Sequence, residues 1–578
     1  MRRREDDRSG DASLAPQPAY AHGAPAGRGV IARRAWLAWA GGLPRDVPAL
    51  LWLLVLVVAG AYLILFLAQL PRNITELGWN SGYASGFTLP ETLVRTGSGG
   101  ATMMGSSGQW VPLWFGLLTA GLPLHRELWV AAPTLLFAAT VLTVAWSVRQ
   151  AADRRAAALA LLIGLVVSPF ALAFLMAAVA HNTVYPCTAL LGAYLIWLAR
   201  GEGRGRLAVF AVPPLAGVAV GTCLASDVLL ASTAVIPLGL TAILAGLRRE
   251  RRSRVVAVSA LATVAVAVPI AGLTSSIMRS LGFITLRAPV RLAPLSELPE
   301  RAALLFKGLR ILFNGSLGPE EPGTLHTPLG IASDVVMSAA LLALVVIGTL
   351  TAARFINSGL RRSATEAPRE LARSLHVLYW VVSAACACGA FWLAAETGGD
   401  TNVHEAYYAT VIFSVAAVVP LLLSRASLSR WLIPAGAATL FTASLVALTG
   451  NYTNISGWVS SAAPSITKIA QANHVSEGYS GYWLASSLTW NTHERLTVRP
   501  LAECENPQGA SACPFYIATV PSWYVPRQRR SFLLVDGEEG WIRSLPSGLG
   551  RPLAVYPIGA IRMYIYPYDI ASRLGPAA

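Results

Sequence analysis

Residues 228–276 read VLLASTAVIPLGLTAILAGL, then RRERRSR, then VVAVSALATVAVAVPIAGLTSS. The apolar runs 228–247 and 255–276 each have about the twenty residues that cross roughly 30 Å of hydrocarbon as a helix. Between them, Arg248, Arg249, Arg251, Arg252 and Arg254 crowd a seven-residue turn. Two membrane-crossing helices joined by a basic turn follow. Arginine is retained on the cytoplasmic side of membranes, so the turn is assigned there.

The same alternation extends in both directions. Apolar runs of similar length lie at 48–70, 127–148, 157–180, 184–199, 207–226, 331–353, 375–395, 407–424 and 431–450, which makes about eleven spans. Every second connection is basic: Arg149, Arg154 and Arg155; Arg200, Arg204 and Arg206; Arg354, Arg361, Arg362, Arg369 and Arg373; Arg425 and Arg430. The short connections on the other side carry no arginine, and only two long loops there, 71–126 and 277–330, do.

The polar, arginine-bearing residues 1–46 read as a disordered cytoplasmic tail. The first apolar run begins too late and runs too long for a cleaved signal peptide. With the tail inside, eleven crossings place 451–578 outside the cytoplasm, and 47–450 form the transmembrane domain. The segment 111–123 is apolar but too short to span, and reads as interfacial or re-entrant.

A chain with 54% hydrophobic and 13% charged residues is not an ordinary soluble protein. Its net charge of +15 does not argue for nucleic acid, because the arginines sit in turns where they face lipid phosphates. There is no phosphate-binding Gly-x-x-x-x-Gly-Lys loop and no zinc-type His/Cys cluster.

The C-terminal segment changes pattern. Residues 466–475 and 481–488 read as helices; 496–500, 531–536 and 561–566 read as strands. A compact extracytoplasmic α+β domain is expected. The fold class is therefore an all-α polytopic membrane protein with a small C-terminal α+β domain. Cys504 and Cys513 lie nine apart in that segment, and outside the cytoplasm a disulfide is the natural reading. Cys187, Cys223, Cys386 and Cys388 fall in apolar runs and read as small buried hydrophobes. Tyr479, Tyr482, Trp483, Trp490, Trp523 and Tyr524 form either a small-domain core or a sugar-facing surface, with core favoured.

The first long loop reads Glu76-Leu-Gly-Trp-Asn-Ser-Gly-Tyr-Ala-Ser-Gly-Phe-Thr-Leu-Pro-Glu91, followed by a Gly/Ser-rich stretch. A first span, a long outer loop with acidic residues, an interfacial helix, many further spans and a terminal outer domain make up the layout of most of the chain. This layout resembles the GT-C glycosyltransferases, and more narrowly the actinobacterial members that carry a Trp-Asn-Ser-Asp-like loop. The resemblance implies a sugar taken from a polyprenyl-phosphate donor and passed to an extracytoplasmic cell-envelope glycan. It also implies an acidic residue early in the first outer loop as general base. After Trp79-Asn80-Ser81 that position is Gly82, so Glu76, Glu91 or a carboxylate from another loop must take over, or the protein does not catalyse transfer.

Asp227, in Ala225-Ser226-Asp227, matches a Ser-Asp pair that the resemblance places at this turn, and Asp400 and His404 lie where polar residues near the donor phosphate are expected. Catalytic candidates are thus Glu76, Glu91, Asp227 and Asp400. Substrate-binding candidates are Asn80, His181, Arg287, Arg291, Arg310 and His404. Arg287, Arg291 and Arg310 would face the leaving lipid phosphate. A divalent metal ion in that role would draw on Asp227 and Asp400. Each residue alone reads more simply as a helix cap or interfacial anchor. Two other functions stay open: a non-catalytic scaffold of the same architecture for envelope polysaccharide assembly, and a transporter of a lipid-linked intermediate. Transporters usually show inverted repeats, and none is evident.

Overall fold

The computed structural model describes residues 47–575 apart from 78–80, 98–99, 103–108, 178–180, 202–205, 286–290, 315–326, 361–366, 395–408, 425–428, 450–457, 505–511, 516–517, 528, 537–541 and 543. The expected tail 1–46 lies outside the described residues.

The helical part comprises α1 (Val47–Leu77), α2 (Ser81–Thr96), α3 (Trp110–Thr119), α4 (His125–Ala151), α5 (Arg154–Leu165), α6 (Pro169–Ala177), α7 (Val184–Arg200) and α8 (Arg206–Ser226). A π-helical turn, Ala231–Val235, leads into α9 (Ile236–Gly246). Next come α10 (Arg251–Ser280), α11 (Leu298–Leu312), α12 (Pro328–Leu360), α13 (Pro368–Leu393), α14 (Thr410–Val418) with a 3-10 extension Val419–Ser424, and α15 (Ser429–Thr449).

Among the described residues, six helices are long and apolar enough to cross a membrane: Ala49–Gln69, His125–Ala151, Arg251–Ser280, Pro328–Ser358, Pro368–Leu393 and Trp431–Thr449. Of the other five expected spans, 207–226 falls on the continuous helix α8, and four are occupied by shorter or interrupted helices. Proline accounts for much of this, since it lacks the N–H that would continue the ladder. Pro169 opens α6 after a break, and Pro237 and Pro420 sit at the π-helical and 3-10 junctions. At the α5–α6 break the Tyr62 hydroxyl donates to the Val167 carbonyl at 2.7 Å, and Ser168 Oγ accepts the Ala171 N–H at 3.0 Å. Backbone groups released inside lipid need such partners.

The basic turns touch one another. Arg252 donates to the Arg200 carbonyl at 2.9 Å, and Arg369 donates to the Ala152 carbonyl. The buried Arg248 lies 4.4 Å from the centre of the Phe355 ring in α12.

The C-terminal region begins with α16 (Trp458–Ala472) and builds a six-stranded sheet. Its strands are β1 (Glu477–Gly481), β2 (Thr497–Glu503), β3 (Ala512–Pro514), β4 (Ser531–Asp536), β5 (Ala554–Ile558) and β6 (Ile561–Tyr566), in the order β3-β2-β1-β4-β6-β5. A helix, α17 (Tyr482–Asn491), connects the parallel strands β1 and β2, while β3, β5 and β6 pair antiparallel. One apolar layer packs α16 and α17 on Val498, Phe532, Leu534, Met563 and Ile565. Cys504 and Cys513 are joined by a disulfide with Cα atoms 5.9 Å apart.

Candidate functional site

Three turns of the chain meet around Ser226 and Asp227. Asp227 closes α8, with its N–H on the Cys223 carbonyl at 2.9 Å, and its Oδ1 accepts the Leu229 N–H at 3.0 Å. Its Oδ2 lies 2.5 Å from Nδ1 of His181, just ahead of α7. Because a carboxylate accepts here, Nδ1 carries the proton and Nε2 is the ring's acceptor nitrogen when neutral. Asp227 is 1% exposed, so its charge is compensated by these partners rather than by water. Burial alone would lower the His181 pKa, but the charge and hydrogen bond of Asp227 outweigh it and raise the pKa above its ordinary value.

Ser226 anchors the short helix α3. Its carbonyl accepts the Gln109 N–H at 2.9 Å and its Oγ accepts the Val111 N–H at 3.1 Å. A first-turn N–H of α3 is thereby capped by a residue 115 positions away. Gln109 adopts a left-handed φ of 51° to make this entry.

A second cluster lies farther along α3. Gly116 meets Pro90 of α2 so closely that a Cβ there would lie 2.4 Å from the proline ring. Gly86 likewise lets α2 press on Trp129 of α4, where a Cβ would stand 2.6 Å from the indole. Beside Pro90, Glu91 pairs with Arg95, which also reaches Glu494 at 3.0 Å. The Glu91 carboxyl thus lies beside that of Glu494. Burial and the Glu494 carboxylate push Glu91 up to about 7, against the opposing pull of Arg95. Gln109 and Gly116 are seven residues apart, so about 10 Å of helix separates the two anchor points.

The sheet domain is fastened over this region. Arg126 stacks 3.8 Å from the Trp490 ring centre and donates to the Trp490 carbonyl at 3.1 Å. Phe87 meets the same indole edge-on at 4.9 Å. Thr102 and Thr519 exchange backbone hydrogen bonds of 2.8 and 3.1 Å. Val520 and Trp523 share an apolar cluster with Leu89, Leu93, Trp110, Met278 and Phe283. Trp490, Trp523, Tyr479 and Tyr482 are all buried, as a core or interface role requires.

Of the residues singled out in the sequence, His181 and Asp227 are brought together and Glu91 joins a separate cluster. Glu76 lies in the last turn of α1, and Gly82 is the second residue of α2. Asn80, Arg287, Asp400 and His404 lie outside the described residues. Arg291 is exposed. Arg310 grips Asp334 with two nitrogens, the Nε bond measuring 3.0 Å, so its charge is matched within the protein. Glu494 and Arg126 complete the second cluster and the docking contact. Nothing in their local sequence marks Glu494, since its role depends on a fold that brings residues 403 positions apart together.

Among the described residues no three His, Cys, Asp or Glu side chains gather as a metal site. Both Asp227 oxygens are engaged by His181 and a backbone N–H. Asp400, the other carboxylate expected at such an ion, lies outside the described residues.

No family model matches the chain, and no curated protein matches it. Among solved structures it is similar to the crystal structure of the Archaeoglobus fulgidus oligosaccharyltransferase tethered to an acceptor peptide containing the NVT sequon. The TM-score is 0.39 at 13% sequence identity, over 75% of this chain. The chain spans 61% of the length of that structure.

Proposed function

We propose that the chain is an integral membrane glycosyltransferase of GT-C type, moving a sugar from a polyprenyl-phosphate donor to an extracytoplasmic cell-envelope glycan. The observation that carries this reading is the buried Asp227–His181 pair, set at helix ends beside a short helix and close to the docked sheet domain. A buried carboxylate that fixes a histidine's tautomer is how proteins build a proton acceptor. The raised His181 pKa supports the same role.

In this reading the acceptor hydroxyl gives its proton to His181 Nε2 as its oxygen attacks the anomeric carbon. The bond from that carbon to the phosphate oxygen breaks, and the lipid phosphate leaves with the electron pair. A single displacement inverts the anomeric centre. Arg291 is assigned to the departing phosphate. Glu91, held near neutrality, is the alternative base from the first long loop. The arginine bias of the turns supports a cytoplasmic N-terminus, a transmembrane domain over 47–450 and an extracytoplasmic domain over 451–578. The disulfide supports that placement of the domain.

Purified protein given a polyprenyl-phosphate sugar and an envelope glycan should transfer sugar. Asp227→Asn should lower the rate by about 10²–10⁴-fold, the usual worth of a positioned acid or base. Loss in Glu91→Gln with Asp227→Asn active would move the base to Glu91. Gly82, standing where the resemblance expects an acid, favours a second reading as a non-catalytic scaffold. That reading gains if neither transfer nor donor hydrolysis occurs with any donor tested.

A further inference from the structure

A crevice of about 210 Å³ opens between α12, α13 and the 3-10 segment Val419–Ser424, on the side of the basic turns. That is far above the roughly 10–15 Å³ that admits one water. Its polar wall carries Arg354, Arg373, Thr351, Ser358 and Ser374, with Glu370 also lining it. Ile347, Val377, Leu421 and Leu422 make the rest of the wall apolar. Arg373 is steadied by donating to the Leu421 carbonyl at 2.8 Å. Arg248, paired with Glu250 at 3.9 Å, packs on Phe355, which lines the same crevice.

Two guanidiniums and the hydroxyls of Thr351 and Ser374 facing one space are a donor set for phosphate oxygens, while Ser358 donates to the Phe355 carbonyl at 3.0 Å. Apolar residues beside them, on helices long and apolar enough to cross a membrane, fit acyl chains rather than water. The two arginines and Glu370 leave the lining one positive charge in excess. Basic pockets between membrane helices hold anionic headgroups in this way. We infer that this crevice binds the phosphate of an anionic phospholipid. The site lies at the basic-turn end of the helices and involves none of the residues proposed for sugar transfer.

The test uses the full chain, purified in detergent and stripped of lipid, titrated with phosphatidylglycerol and followed by native mass spectrometry. Saturable binding of one lipid is expected, at least fivefold tighter than phosphatidylcholine. Arg354→Gln and Arg354→Gln/Arg373→Gln should weaken it at least fivefold, and Arg149→Gln, on another basic turn, should leave it unchanged. Arg354 is exposed, so its single substitution tests the site even if the double variant fails to fold. Equal affinity for phosphatidylcholine, preference for phosphatidylethanolamine, or unchanged binding by Arg354→Gln would overturn the inference. Displacement of the lipid by millimolar inorganic phosphate would also overturn it, by identifying a site for a soluble anion.

Discussion

At Glu91 the question is where one proton sits. Folding raises its pKa from 4.5 to about 7, through burial and the neighbouring Glu494. The packed state therefore holds a proton that the separated state releases, and its stabilisation is fully present below about pH 4.5. It declines as pH rises through about 7. The melting temperature of the purified protein should accordingly fall between pH 5 and pH 8. Glu91→Gln, which mimics the protonated form, should flatten that decline. An unchanged slope in the variant would remove Glu91 from the account. The local backbone reinforces the point: His493 and Glu494 both adopt left-handed φ values, 51° and 59°. Each such residue costs on the order of 1 kcal/mol, offset here by the Arg95 pair and by the Glu494 N–H on the Thr489 carbonyl at 2.9 Å. None of this is legible from the sequence, where Glu91 is one acidic residue in a loop and Glu494 lies in a remote polar turn.

At the level of elements, α2 shows why a correct motif can sit in an unforeseen structure. Its Gly, Ser and Pro content reads as loop, because these residues weaken an isolated helix. Packing overrides propensity: Gly86 and Gly116 are the sites where α2 presses on α4 and α3. Strand β1 was hidden for a similar reason. Glu-Gly-Tyr-Ser-Gly is a poor strand sequence, yet Gly478 leaves room for the Phe532 ring, which a Cβ would meet at 2.2 Å. Strand β5 contains Pro557 and sits at the sheet edge, where a missing N–H is tolerated. By contrast, β4, β6 and most of α17 were legible from plain apolar patterning. The close approach of α2 gives a prediction. Gly86→Val would collide with Trp129 and should cost about 1–3 kcal/mol, as overpacked cores do. Trp490→Ala removes the indole that Phe87 and Arg126 share. Both should make the sheet domain easier to cleave from the helices by limited proteolysis, while Val555→Ala, exposed on the edge strand, should not. Equal protease resistance of all three would show that these contacts do not hold the domain.

Over the whole molecule, two sets of long-range contacts divide the labour. The basic turns are knitted together by Arg252, Arg369 and Arg248. The sheet domain is joined by Arg126, Thr102 and Trp523 to the segments that carry Glu91 and lie next to Asp227. The arginine periodicity in the sequence marks the turns that make the first set, because charge bias is written locally in each turn, but not the contacts between them. The second set depends on contacts between distant segments and emerged only from the fold. If the arginine bias sets the topology, the two groups of residues lie on opposite sides of the bilayer. Arg249 and Arg551 are both exposed, one on a basic turn and one in the sheet domain. Cysteines placed singly at these positions should respond differently to a membrane-impermeant maleimide applied to intact cells. Arg551→Cys should label without lysis, whereas Arg249→Cys should label only after it. The unbridged Cys187, Cys223, Cys386 and Cys388 are replaced by alanine beforehand, so that each signal comes from one thiol. The reverse pattern would invert the topology and move the Asp227–His181 pair to the cytoplasmic face. An extracytoplasmic glycan would then be out of its reach, and the proposed reaction would fail together with the orientation.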